Sequence, residues 1–104
     1  VKDYLLVKNG RNIDRVEIAE IEFVEADGRY TYIHYQGHKK ISNAPLKVLK
    51  EKLDDNHFVQ THRSYIVNLS KVETIAISHL SIGEHEIPVG KTYRNDLLGL
   101  LDII

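Results

Sequence analysis

The sequence of 104 residues predicts a mainly β domain with about ten short antiparallel strands and two short helices. Turn signals recur about every 8 to 12 residues and separate short runs of branched and aromatic side chains. No strand-like run is followed by a long helical segment that could cross back to a parallel strand. The length suits one core and not two, so we expect a single domain over residues 1–104.

The first half of the chain predicts five strands joined by tight turns. Residues 4–8 run into Asn9-Gly10, a strong hairpin signal, and return through residues 11–16. A helical turn passing into a strand is predicted over 17–26, and Asp27-Gly28 then turns the chain. In the next strand, 29–35, side chains alternate between two faces, and Gln36-Gly37 leads into the short strand 38–41.

The second half predicts both helices and the remaining strands. Leucines at 46, 49 and 53 have helical spacing, with Asn43 as the expected cap and Pro45 in the first turn. Further strands are expected at 58–60, 65–68, 72–78, 80–82 and 85–89. Residue His79 is expected in the connection that precedes the strand 80–82. A terminal helix is expected over 91–104, weakened near its end by Gly99.

Composition excludes several classes of protein. The chain has no cysteine, which excludes disulfides, Cys-ligated zinc and thiol nucleophiles. Its apolar runs are only a few residues long, and it has no secretory signal, so we expect a cytoplasmic protein without a membrane partner. The chain begins at Val1 and lacks methionine, and we therefore expect it to be a piece of a longer protein.

Charge is distributed unevenly along the chain. From Arg29 to Lys71 there are eight basic and three acidic residues, a balance of +5, whereas the whole chain carries −1. The two flanks together therefore carry −6. Such asymmetry is typical of a surface for a polyanion, and it is equally compatible with a solvated charged face.

Enzymatic motifs are not supported. His62 and Ser64 suggest a nucleophile and its base, but in an extended segment their side chains stand roughly 6 to 7 Å apart, and no G-x-S-x-G elbow surrounds Ser64. His34 and His38 lie across a turn, and His85-Glu86 lacks a second histidine, so no metal site is predicted. Without a glycine-rich phosphate loop, we expect neither a cofactor nor enzymatic activity.

Cationic and hydrogen-bonding residues instead cluster in or beside the predicted turns. They occupy 29–32, 39–40, 62–65, 71 and 90–94. Arginine suits bidentate contacts with guanine or phosphate, whereas lysine and hydroxyl groups mostly contact the DNA backbone. Double-stranded DNA is thus a suitable partner, and an acidic protein partner bound by the same loops remains the alternative.

Three longer motifs carry a resemblance that covers about residues 14–101. FVQTHRSYIVN is followed about twenty residues later by IPVGKTY, and EIEFVEADGRYTYIHYQG precedes both. In this respect the chain resembles the LytTR-type DNA-binding domain of bacterial response regulators. The resemblance implies an elongated arrangement of small antiparallel sheets with short helices and no helix-turn-helix. It also implies that loop residues enter successive major grooves of DNA.

The resemblance further implies which residues contact DNA. Base contacts fall at Thr31, Arg63 and Lys91. At the first position Thr31 replaces a longer hydrogen-bonding side chain, and Lys91 stands where arginine is common. Residues expected to contact phosphates or to support the contacts are Arg29, Tyr32, Lys40, Lys47, His62, Ser64, Lys71 and Arg94.

The resemblance also implies partners beyond this chain. It predicts the output domain of a two-component response regulator that acts in transcription regulation. In that setting the domain is the C-terminal part of a longer regulator with a receiver domain on the same chain, and a homodimer binds paired direct repeats of DNA. A β-rich protein-interaction module whose cationic loops bind an acidic protein is the alternative.

Overall fold

The computed structural model describes residues 3–104, which form ten strands, two α-helices and two 3₁₀ turns. The strands are β1 (Tyr4–Asn9), β2 (Asn12–Glu17), β3 (Ile21–Asp27), β4 (Tyr30–Tyr35), β5 (His38–Ser42), β6 (Phe58–His62), β7 (Tyr65–Asn68), β8 (Thr74–Ile75), β9 (His79–Ile82) and β10 (His85–Pro88). The helices are α1 (Leu46–Lys52) and α2 (Lys91–Gly99), and the 3₁₀ turns are Ile18–Glu20 and Leu69–Lys71. The predicted mainly β class is confirmed.

The strands form three small antiparallel sheets. The central sheet has five strands in the order β5-β4-β3-β7-β6, beside a β1-β2 hairpin and a β10-β9-β8 sheet. Every pairing is antiparallel. The molecule measures 46 × 29 × 25 Å, so the expected elongated shape is also confirmed.

A hydrophobic core lies on each face of the five-stranded sheet. Successive side chains of a strand point to opposite faces, so Val24 belongs to one core and its neighbour Phe23 to the other. The β1-β2 hairpin and α1 cover the first core, where Ile33 is fully buried. The three-stranded sheet and α2 cover the second core through residues such as Leu97. Both faces of the central sheet are thereby buried.

Several predicted boundaries were wrong. The strand predicted over 72–78 shortens to Thr74–Ile75, and His79 begins β9 instead of lying in a connection. The terminal helix ends at Gly99, because the N–H groups of Leu100 and Leu101 close the last turn on the carbonyls of Leu97 and Leu98. No helix in the described range is long and apolar enough to cross a membrane.

Two local predictions also need correction. Asn43 does not cap α1, since Pro45 occupies the N-cap position with an extended backbone and without a side-chain cap. The segment 62–64 is not extended throughout, because β6 ends at His62 and then Arg63 and Ser64 form a two-residue turn that leads into β7. The turn follows an irregularity in the β6 register between Gln60 and His62, which a period-two pattern cannot reveal.

Candidate nucleic-acid interface

Two tight turns and the start of α2 meet at one end of the five-stranded sheet. Gly28 and Arg29 join β3 to β4, and the Arg63 turn joins β6 to β7. The backbone N–H of Ala26 donates to the Ser64 carbonyl at 2.8 Å, which holds these two turns side by side. A second bond, from the N–H of Gly90 to the Thr61 carbonyl at 2.7 Å, adds the start of α2 to the same end.

This end presents three cations, which we call the cationic edge: Arg29, Arg63 and Lys91. All three side chains are exposed. None of them takes part in an ion pair formed within residues 3–104. Gly28 supports the first turn with a φ of +63°, a conformation that glycine adopts without steric cost. The edge can therefore offer positive charge and hydrogen-bond donors to an outside anion.

The turn that carries Arg63 is held on two sides. The N–H of Ser64 donates to Nδ1 of His62 at 3.1 Å, and Nε2 of Gln60 donates to the Arg63 carbonyl at 3.3 Å. Lys50 on α1 in turn donates to Oε1 of Gln60 at 3.1 Å. The backbone is thus fixed while the guanidinium is exposed. Sequence reasoning missed Gln60 and Lys50, although the place of Gln60 within the motif FVQTHRSY was a usable signal for that residue.

The contact at His62 also bears on catalysis. The group that meets its Nδ1 is the backbone N–H of Ser64, and the Ser64 hydroxyl does not bond to His62. This arrangement stabilises a turn and does not activate a nucleophile. In the part of the chain that the structure describes, no cluster of three or more His, Cys, Asp or Glu side chains could hold a metal.

Thr31 does not fit the base contact predicted for it. Its side chain is only 3% exposed, and its hydroxyl donates to the Ala44 carbonyl at 2.8 Å. The reason is strand alternation, which turns Thr31 toward the same core as Ile33. Its neighbour Tyr30 points the other way, is 39% exposed and lies beside Arg29, yet it was missing from the predicted contacts. An exposed aromatic side chain at a turn was the signal for it.

The remaining predicted residues divide between the edge and other surfaces. Lys47 is exposed in the first turn of α1, close to the loop that receives the Thr31 hydrogen bond. Lys40 pairs with Asp14 at 3.3 Å, and Lys71 lies beyond β7 at the opposite end of the sheet. The Arg94 guanidinium donates to the carbonyls of Ala76 and Ile77 at 2.7 and 2.8 Å, which ties α2 to a loop.

The aromatic residue Tyr32 completes the predicted set. It is half-buried on β4, and Nζ of Lys39 lies 4.9 Å from the centre of its ring. This is within the range of a cation–π contact. Tyr32 therefore orients a lysine of the neighbouring strand, and it lies on the same face of β4 as Tyr30.

A polar cluster lies directly behind the cationic edge. The two carboxylate oxygens of Glu25 are shared between Nε2 of His34, at 2.7 Å, and the Tyr65 hydroxyl, at 3.1 Å. Burial lowers the pKa of His34 from its usual value, in spite of the opposing attraction of Glu25. Burial also raises the pKa of Tyr65. The cluster therefore favours a neutral imidazole and a protonated phenol.

One protein family and several known proteins are similar to this chain. A family model described as the LytTr DNA-binding domain matches residues 11–102. The CO-responsive transcriptional regulator RcoM of Rhodospirillum rubrum is 31% identical over 101 residues, covering 90% of this chain and 43% of that protein. The sensory transduction protein LytT of Bacillus subtilis is 26% identical over 105 residues, covering 95% and 44%.

A solved structure has the same fold. It is a LytTr DNA-binding domain of a response regulator from Bacillus cereus, with a TM-score of 0.85 and 23% identity. The alignment covers 99% of this chain and all of that one. The chain spans less than half the length of the curated relatives RcoM and LytT.

Proposed function

Because this chain belongs to the LytTr DNA-binding domain family, we propose that its cationic edge reads base sequence in double-stranded DNA. Membership of this family indicates the coarser function of the chain. That function is DNA binding for transcription regulation. The observation that carries the finer proposal is the convergence of Arg29, Arg63 and Lys91, all exposed, at one end of a rigid sheet. Loops on such a scaffold are the usual place for binding residues.

Each cation has a role that follows from its chemistry. Arg63 extends from a fixed turn, and its planar guanidinium suits a bidentate contact with guanine in the major groove. Lys91 is the first residue of α2 and supplies a point charge to a base edge or a phosphate. Arg29 contacts phosphate, with Lys47 and Ser64 as further backbone contacts. We propose that these turns and the start of α2 together contact successive major grooves of the DNA.

We propose that this domain belongs to a longer regulator. We propose that the chain is the output domain of a cytoplasmic response regulator with a receiver domain, which binds paired direct repeats as a homodimer. The supporting facts are that relatives include response regulatory and sensory transduction proteins, and that this chain spans less than half of RcoM and LytT. Phosphorylation of a receiver would then control pairing of two DNA-binding domains.

The test begins with a cognate duplex, selected from a random pool by the wild-type domain. Arg63→Ala should weaken binding to this duplex by about 1 to 3 kcal/mol and relax the preference at one base position. The matched control is Arg15→Ala, which removes the same charge from the β1-β2 hairpin, where Arg15 already engages Glu17 and Tyr4. Unchanged binding and base preference in Arg63→Ala would refute the proposal.

A second measurement separates this proposal from an acidic protein partner. Binding should weaken steeply with added salt, because counterions are released when cations meet phosphates. Gel-shift titrations at two salt concentrations should also show the selected duplex bound more tightly than a random one. Equal capture of both duplexes at each salt concentration would favour the protein-interaction alternative.

A further inference from the structure

We infer that Glu25, Tyr65 and His34 are positioning residues for DNA recognition, which set the direction from which Arg63 approaches a base. The inference rests on the proposed role of Arg63. None of the three side chains belongs to the cationic edge itself, and all are half-buried behind it. They act through the turn between β6 and β7.

Tyr65 connects this cluster to the turn. It is the first residue after Ser64, and in the sheet it lies directly opposite Glu25. Its hydroxyl donates to Oε2 of Glu25 at 3.1 Å. The next residue of β3, Ala26, holds the Ser64 carbonyl through its N–H at 2.8 Å. One side-chain bond and one backbone bond therefore fix the turn to β3.

His34 holds the other oxygen of Glu25 in place. Its Nε2 lies 2.7 Å from Oε1, and its ring stacks on Phe23 with centroids 4.1 Å apart and planes 13° apart. His85 of the neighbouring sheet packs edge-on against both rings. Because both oxygens of Glu25 are engaged, and His34 is wedged between rings, the carboxylate is confined to one orientation.

His62 connects the ring of Tyr65 to the turn that carries Arg63. The rings of His62 and Tyr65 meet edge-to-face, with centroids 5.6 Å apart and planes at 75°. Nδ1 of the same imidazole accepts the Ser64 N–H at 3.1 Å. Tyr65 thus restrains the residue before Arg63 by ring contact and the residue after it through the backbone. Loss of the Tyr65 hydroxyl would keep the apolar ring but release it from Glu25, so that the ring would restrain His62 and the turn less firmly.

A double-mutant cycle tests this inference on the 104-residue chain with the selected duplex. Tyr65→Phe should weaken binding roughly threefold to tenfold, because the loosened turn spreads Arg63 over several directions. It should also flatten the base preference at the position that Arg63→Ala relaxes. In the Arg63→Ala background, Tyr65→Phe should change the affinity by less than about twofold. Glu25→Gln should also weaken binding when Arg63 is present and should change the affinity by less than about twofold in the Arg63→Ala background.

The matched control is Tyr35→Phe, which also removes one phenolic hydroxyl. Tyr35 ends β4 at the far end of the sheet and packs against the first core. This variant should leave affinity and base preference unchanged. Thermal unfolding of every variant shows whether the protein is folded at the temperature of the binding assay.

The outcomes separate the two proposals. If Arg63→Ala weakens binding but Tyr65→Phe and Glu25→Gln have no effect, or the same effect in both backgrounds, the positioning role is overturned while the proposed function stands. If Arg63→Ala itself leaves binding unchanged, the proposed role of Arg63 fails and the positioning role fails with it. Loss of effect in the Arg63→Ala background alone supports the inference.

Discussion

The two ends of the five-stranded sheet use their polar groups in opposite ways. At the end of β7, the Asn68 side chain is 3% exposed, and its amide donates to the Ile21 carbonyl at 2.8 Å. Its oxygen accepts from the N–H and the hydroxyl of Ser70, at 3.0 and 2.8 Å. At the other end, Arg63 and Lys91 are exposed and form no ion pair within the described residues.

This difference separates stability from binding. We call the region around Asn68 the closed end, because its hydrogen bonds are satisfied within the protein. Breaking one of them leaves a buried polar group without a partner, which typically costs about 1 to 3 kcal/mol. Substitution of an exposed cation rarely changes the free energy of unfolding by more than about 0.5 kcal/mol. Substitutions at the closed end should therefore change unfolding, and substitutions at the cationic edge should change DNA affinity.

The largest effect is expected for Asn68→Ala. This substitution leaves the buried Ile21 carbonyl without its donor and removes the cap of the 3₁₀ turn that begins at Leu69. The free energy of unfolding should fall by about 2 kcal/mol. Denaturant unfolding measures this change, with exposed Asn43→Ala as the control. A loss below about 0.5 kcal/mol would mean that the closed end contributes little to stability.

Lys91→Ala should produce the next largest effect, on DNA affinity alone. Loss of one cation at a phosphate or base should weaken binding roughly fivefold to tenfold and lower the salt slope by about one. Thermal stability should stay unchanged, because Lys91 is exposed at the start of α2. The control is Lys52→Ala, an exposed lysine at the end of α1.

The same titration tests whether DNA contacts only one end of the sheet. Lys71 was expected to contact phosphate, yet it lies at the closed end of the sheet. If DNA meets only the cationic edge, Lys71→Ala should retain the wild-type affinity and salt slope. A loss equal to that of Lys91→Ala would show that both ends of the sheet meet DNA.

Thr31→Val should have a smaller effect, and on stability. The hydroxyl of this buried residue holds the loop before α1 through the Ala44 carbonyl. Valine keeps the shape and removes the hydrogen bond, so unfolding should become easier by about 1 kcal/mol. Base preference, measured by selection from a random duplex pool, should not change. A relaxed preference at one position in a stable variant would restore Thr31 as a base contact.

Local sequence signals predicted the strands and helices but not the contacts between them. Turn residues, strand alternation and the helical spacing of leucines predicted the ten strands, the two helices and the mainly β class, because these signals are local. The burial of Thr31 could be expected only from knowing which face of β4 meets the first core. The Glu25, His34 and Tyr65 contacts join three strands, so their pairing depends on sheet order and register, which local patterns do not specify.

The smallest effect is a pH dependence that comes from the cluster behind the cationic edge. Burial lowers the pKa of His34 in the folded protein below its usual value of 6.5. The unfolded chain therefore takes up a proton more readily, and the stability that neutral His34 provides is complete above pH 6.5 and declines as the pH falls below it.

Thermal unfolding at about pH 7.5 and about pH 5.5 should show a smaller acid-induced drop in Tm for His34→Gln than for the wild type. His57→Gln is the control, since His57 is exposed and pairs with Asp54 at the surface. Equal drops for the wild type and His34→Gln would show that His34 does not couple the cluster to pH.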